Sequence, residues 1–144
     1  MYVLDTDVIS RSSPMSRESV RVAGWLQANR GLTFLSAATL AEFQFGASRL
    51  RLRGATRQER GLAAWIETVL EDYRGKVIDI DVEVGRRAGE MLARAETAGF
   101  DPGLADACIA ASADVRGFEV VTFNSRHFAA FGVPHRQPQS GADR

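Results

Sequence analysis

Cysteine, lysine and histidine are scarce in this 144-residue chain: Cys108 and Lys76 stand alone, and the histidines are His127 and His135. One thiol excludes a disulfide framework and a cysteine-built zinc site, and two histidines leave little for a histidine-built one. An enzyme resting on zinc or on a Cys/His nucleophile is disfavoured on these counts. Net charge is lacking too, since 18 basic residues balance 18 acidic ones. That balance argues against the broad basic face that coats nucleic acid without regard to sequence. Apolar runs fall well short of the ~20 residues of a membrane span. The opening MYVLDTDVIS has neither the basic start nor the apolar core of a secretory signal. No repeat or low-complexity tract divides the chain, and its length suits one domain with one core.

What is present is a regular alternation. Tyr2-Val3-Leu4, Leu32-Thr33-Phe34-Leu35, Val77-Ile78-Asp79-Ile80 and Glu119-Val120-Val121-Thr122-Phe123 read as buried strands. A last, weaker strand is expected near Val133. Between them the pattern predicts helices over 16–29, 37–53, 56–73, 82–98 and 104–116. Ser16, Ser36, Thr56 and Asp81 occupy N-cap positions, while Gly31, Gly54, Gly75, Gly99 and Gly117 fall where helices should stop. Trp25, Phe43, Phe45 and Trp65 are assigned to the core, Phe43 and Trp65 on apolar faces of helical period; any found exposed would suggest a groove for a partner helix or a dimer patch. Strands separated by helices imply a single α/β domain over residues 1–136, with a central parallel sheet of four to five short strands flanked by helices. Gln137 to Arg144, rich in polar residues around Pro138 and Gly141, read as a frayed tail. In such sheets ligands bind at the carboxyl ends of the strands.

Acids stand at those ends. Asp5 and Asp7 follow the first strand, Asn124 follows the fourth, Glu42 lies in the second turn after the second, and Asp106 opens an otherwise apolar helix. Singly, Asp106 is a helix-start acid favoured by the dipole and Glu42 an exposed helix glutamate. Asp5 is harder to dismiss, because a charge ending an apolar strand is half-buried and needs a partner. Carboxylates gathered at one sheet edge repel unless a divalent cation sits among them, and oxygen ligands suit Mg²⁺ or Mn²⁺. Such a site can ionise a water for in-line attack on a phosphodiester. Asp79 and Asp81 also lie near a strand end, but Asp81 reads as an N-cap with Glu83 in the following turn, so both are left out.

Four blocks now carry a resemblance. Val3-Leu4-Asp5-Thr6-Asp7-Val8-Ile9-Ser10 resembles the opening of the PIN-domain nucleases, particularly the toxins of VapBC toxin–antitoxin pairs. Ala41-Glu42-Phe43-Gln44-Phe45-Gly46-Ala47, Leu104-Ala105-Asp106-Ala107-Cys108-Ile109 and Val121-Thr122-Phe123-Asn124-Ser125-Arg126-His127-Phe128 are similar to its later blocks, in the same order. The resemblance spans residues 2 to about 134. It implies a PIN-like fold and a cytoplasmic endoribonuclease dependent on Mg²⁺ or Mn²⁺, the toxin of a type II pair. Such a toxin is inhibited by a small VapB-type antitoxin and is usually dimeric. Carried over, Asp5, Glu42 and Asp106 hold the metal, and Asn124 takes a fourth corner where many relatives have Asp. His127 departs from the acid often found in that block. Asp7, where relatives often have Asn, would orient Asp5 or a metal-bound water, and Thr122 would hydrogen-bond a ligating carboxylate.

The stretch 49–60 holds Arg49, Arg51, Arg53, Arg57 and Arg60 against Glu59, a local charge of +4. It reads either as a solvated face or, through Arg49, Arg53 and Arg57, as a contact to RNA phosphates. Two further readings are weighed. Asp5-Thr6-Asp7-Val8 also fits the nucleophile pattern of HAD-type phosphatases, with Lys76 and the acidic pair Asp101 and Asp106 as partners, although no apolar strand precedes Asp101. The departures at Asn124 and His127 allow a catalytically degenerate module that only holds RNA or a partner. Overall neutrality is then a cancellation between an acidic pocket and an arginine stretch.

Overall fold

The computed structural model describes residues 1–139. Five strands form one sheet: β1 (Tyr2–Leu4), β2 (Thr33–Ser36), β3 (Val77–Ile78), β4 (Glu119–Val121) and β5 (His135–Arg136). All pairings are parallel, in the order β3-β2-β1-β4-β5. The direction follows from the connections, since every return passes through helix. These are α1 (Thr6–Arg11) and α2 (Ser19–Ala28), then α3 (Ala37–Leu52) and α4 (Thr56–Asp72), α5 (Val82–Thr97) and α6 (Leu104–Asp114), and finally α7 (Ser125–Phe131).

Alternation along the strands divides the core between two faces. Val3 and Val120, partners in register, join Ala88, Met91, Ile109, Phe128 and Phe131 of α5, α6 and α7. Leu4, Leu35 and Val121 turn the other way, against Val8, Val22, Phe43, Ile66 and Val69 of α1 to α4. The central strand β1 thus contributes to both cores. From β1 the chain proceeds to β2 and β3 on one side, then returns through α5 and α6 to β4 on the other. The reversal lies between β1 and β4, where an open parallel sheet leaves a crevice at its carboxyl edge.

Several local expectations are corrected. Neither α1 nor α7 was expected, because six or seven residues are too few to show a helical period. Ser36 and Asp81 do cap α3 and α5, accepting from the amides of Ala38 and Val84. Ser16 does not cap α2: its hydroxyl accepts from the Glu18 amide in the turn before the helix. Thr56 is the first residue of α4 rather than its cap. Gly54, Gly75, Gly99 and Gly117 have left-handed φ, but Gly31 is not among the positive-φ glycines. The fourth strand stops at Val121, since the Thr122 hydroxyl accepts from the Asn124 amide and bends the chain away. The last strand lies at His135–Arg136, beyond Val133. Of the expected tail, Pro138 is buried while Gln137 and Gln139 are exposed, and residues 140–144 lie outside the described residues.

The Asp81 cap gives a direct check. Asp81→Ala leaves one first-turn amide of α5 without its acceptor and lowers stability by about 1 kcal/mol. A thermal melt should fall by a few degrees; an unchanged melt would contradict the cap.

Candidate active site

Asp5, Thr6, Asp7, Ser10, Arg11, Glu42, Asp106 and Asn124 line one open pocket at the carboxyl edge of β1 and β4. Asp5 is placed by backbone at both ends. Its amide donates to the Val121 carbonyl at 2.9 Å, stitching it to β4. Its Oδ1 caps α1 by accepting from the Thr6 amide at 2.8 Å, and its Oδ2 accepts from the Thr122 hydroxyl at 2.7 Å. The carboxyl group is therefore fixed, with the residue only 4% exposed. Glu42 projects from α3 and accepts a hydrogen bond from the Thr6 hydroxyl, which also meets Thr39. Asp106 sits in the first turn of α6, where free amides and the helix dipole favour a negative charge.

Asn124 and His127 meet Asp106 from the β4–α7 side. His127 Nδ1 lies 3.0 Å from Asp106 Oδ2 and 2.7 Å from the Asn124 side-chain amide. One ring nitrogen cannot both donate to the carboxylate and accept from the amide. If Nδ1–H donates to Asp106, the Asn124 amide must present its oxygen to the ring; if Asn124 donates to Nδ1, the ring cannot donate to Asp106 through that nitrogen. In the first arrangement His127 ties Asp106 to the start of α7.

Burial and mutual proximity disfavour the charged forms of the pocket acids. Burial, chiefly, and the neighbouring charges of Asp7 and Asp106 push Asp5 up to about 7, against the lowering effect of the Thr122 and Thr6 bonds. Burial also raises Asp7, which hydrogen-bonds Asp5, while Arg11 acts in the opposite sense. Glu42 is raised by burial first and by Asp106 and Asp7 after that. Asp7 Oδ1 is buried and has no hydrogen-bond partner in the protein. Arg11 is held to the side, its guanidinium 4.1 Å from the centre of the Phe123 ring and 2.7 Å from Glu18.

Of the residues singled out from sequence, Asp5, Asp7, Glu42, Asp106 and Asn124 share the pocket, and Thr122 stands directly behind Asp5. Arg49, Arg53 and Arg57 do not line it; they are exposed along α3 and α4. Asp79 and Asp81 lie outside it as well. Thr6, Ser10 and Arg11 were not foreseen as pocket residues. Position after a strand-ending Asp was the available signal for Thr6; Ser10 and Arg11 follow one turn later on a helix too short to recognise. Lys76 donates to the Arg30 carbonyl, and neither it nor Asp101 lines the pocket, which removes the lysine the phosphatase reading requires. Cys108 is buried in α6.

A doubly flanked parallel sheet with acids converging at its β1/β4 crevice defines a doubly wound α/β domain with a ligand site at its topological switch point. Within that class the chain belongs to the PIN-domain family, whose model it matches over residues 2–133. It is 35% identical over 135 residues to the VapC ribonuclease Y4jK of Sinorhizobium fredii, covering 92% of this chain and 94% of that one. FitAcB of Neisseria gonorrhoeae has a similar structure, with a TM-score of 0.79 at 30% identity over 96% of this chain and 98% of the other. The DNA-bound VapBC of Salmonella typhimurium is similar at a TM-score of 0.76 and 27% identity, with 96% and 98% covered.

Proposed function

We propose that this protein is a Mg²⁺-dependent endoribonuclease, with Mn²⁺ as a substitute, acting in the cytoplasm as the toxin of a type II toxin–antitoxin pair. The carrying observation is the convergence of Asp5, Glu42, Asp106 and Asn124 on one pocket of a PIN domain. The donor chemistry suits a hard divalent cation. Carboxyl groups of three residues are all displaced toward their protonated forms, and a buried carboxylate oxygen of Asp7 has no partner. Among the described residues no three His, Cys, Asp or Glu side chains are close enough to grip an ion unaided. Mg²⁺ does not need that, because it keeps several waters and takes one or two carboxylates alongside phosphate oxygens.

Asp5, Glu42 and Asp106 would hold the cation between them, one or two by direct contact and the rest through its waters. When bound, it supplies positive charge against the phosphodiester and lowers the pKa of a water. The remaining work belongs to the chain. Thr122 and the Thr6 amide fix the Asp5 carboxylate, the Thr6 hydroxyl directs Glu42, and His127 orients Asp106. Asn124 completes the rim without a fourth charge. Asp7, beside Asp5, sets how readily that carboxyl group ionises.

The partners are RNA, a small VapB-type antitoxin and a second copy of the chain. Relatives named as VapC ribonuclease and VapBC complex support the first two. No helix among the described residues is long and apolar enough to cross a membrane. Purified protein should cut RNA in Mg²⁺, stop in EDTA and resume with Mg²⁺ or Mn²⁺. RNA left intact under both metals refutes the reading.

A further inference from the structure

The exposed face of α3 carries a feature the acidic pocket leaves unused. Phe45, expected in the core, is 64% exposed. It lies three residues after Glu42, on the same helical face, and four before Arg49, whose guanidinium is 5.4 Å from the centre of the Phe45 ring. Leu52, 84% exposed, and Arg53 continue the stripe to the end of the helix. Arg51, Arg57 and Arg60 surround it, and none of these five arginines is paired with a carboxylate among the described residues. A helix advances about 1.5 Å per residue, so Phe45 stands roughly 5 Å along the axis from Glu42 and Arg49 roughly 10 Å. A stacked nucleic-acid strand advances about 3.4 Å per nucleotide, which sets Phe45 one or two nucleotides from a phosphate at the acids.

We infer that Phe45 and Arg49 form a nucleobase-stacking subsite that receives single-stranded RNA beside the cleaved bond, with the arginines beyond following its backbone. This rests on the nuclease reading and names how the substrate is held. An exposed aromatic face with an adjacent guanidinium is the surface on which unpaired bases stack, and unpaired arginines supply charge for phosphates. A second copy of this chain is a poorer occupant. A two-fold contact through this face would set the same unpaired arginines against themselves, like charge on like.

The test uses Asp5→Asn protein, so that RNA stays uncut, and the anisotropy of a short fluorescein-labelled single-stranded RNA in Mg²⁺. Adding Phe45→Ala should raise Kd about tenfold, the scale of one lost base–aromatic stack. Phe45→Leu should do the same, and Phe45→Trp should restore tight binding. Arg49→Gln should weaken binding and flatten its dependence on salt by about one phosphate contact. With Asp5 intact, Phe45→Ala should raise KM for cleavage and leave kcat nearly unchanged. Unaltered RNA affinity and KM in Phe45→Ala would overturn the subsite while the nuclease reading stands. Should that variant also change sedimentation velocity, the face belongs to a protein contact, and the inference is again overturned. Wild-type protein that binds RNA through Phe45 but cuts none would end the nuclease reading instead.

Discussion

Asp5→Asn and Asp106→Asn should each reduce RNA cleavage by at least about a hundredfold to a thousandfold, the range for losing one charge-stabilising group from a preorganised site. The change is nearly isosteric, so its effect is electrical. Asp5 is fixed by the Thr6 amide, the Thr122 hydroxyl and the Val121 carbonyl, and an asparagine keeps the backbone bond and an oxygen for the cap. What disappears is a negative charge facing the bound cation. Asp106→Asn likewise keeps an amide oxygen that can accept from His127 Nδ1 and loses only the charge. Thr122→Val keeps the carboxylate and removes the hydroxyl that orients it, so it should lose less, about tenfold to a hundredfold. That ordering separates a charge effect from an orientation effect, and far-UV melts should show that all three variants fold. Full cleavage by purified Asp5→Asn protein would refute the assignment of the site.

The strand-ending acids were legible because position and chemistry agreed. Asp5 interrupts an apolar strand, and Asp106 is the one charge entering the apolar run from Ala105 to Ala113. Their convergence depended on the sheet order, and the alternation of strands and helices predicted a parallel sheet without naming which strands would be neighbours. Tertiary pairing decides that β4 lies beside β1, and with it that Thr122 bonds Asp5 and Asn124 joins its pocket. The Thr6–Glu42 and His127–Asp106 contacts join residues far apart in the chain, and no local periodicity encodes them.

Phe45 shows the opposite case, where a local reading was overruled. Phe43, two residues earlier, is buried against Trp65, their rings 5.0 Å apart. A helix turns about 100° per residue, so two residues rotate Phe45 nearly to the far side. Apolar type suggested the core, but helical phase sent it outward. The short helices α1 and α7 failed for another reason: each is stabilised by the sheet edge and the residues of the site, not by its own propensity.

Metal-free protein should become less stable as pH rises, and Mg²⁺ should reverse this mainly on the alkaline side. Asp5 has its folded pKa raised from 3.8 to about 7. Between those values the folded state holds a proton that the unfolded chain has released, so unfolding gives it up and stability falls with increasing pH. The contribution is fully present below the unfolded pKa and gone above the folded one. At 1.36 kcal/mol per unit the total is about 4 kcal/mol for this residue. Asp7 and Glu42 are displaced the same way and act with the same sign. In EDTA, Tm should drop between pH 5 and pH 8 by roughly 10 °C, and Asp5→Asn should flatten much of that slope and melt higher than wild type at pH 8. A cation binds the ionised carboxylates, so at about a hundredfold excess over Kd, Mg²⁺ restores about 2.7 kcal/mol at pH 8. At pH 5 a proton occupies the Asp5 carboxyl group, so Mg²⁺ should do less. A Tm that rises with pH in EDTA, or equal Mg²⁺ stabilisation at both pH values, would show that these acids are not held together against their own repulsion.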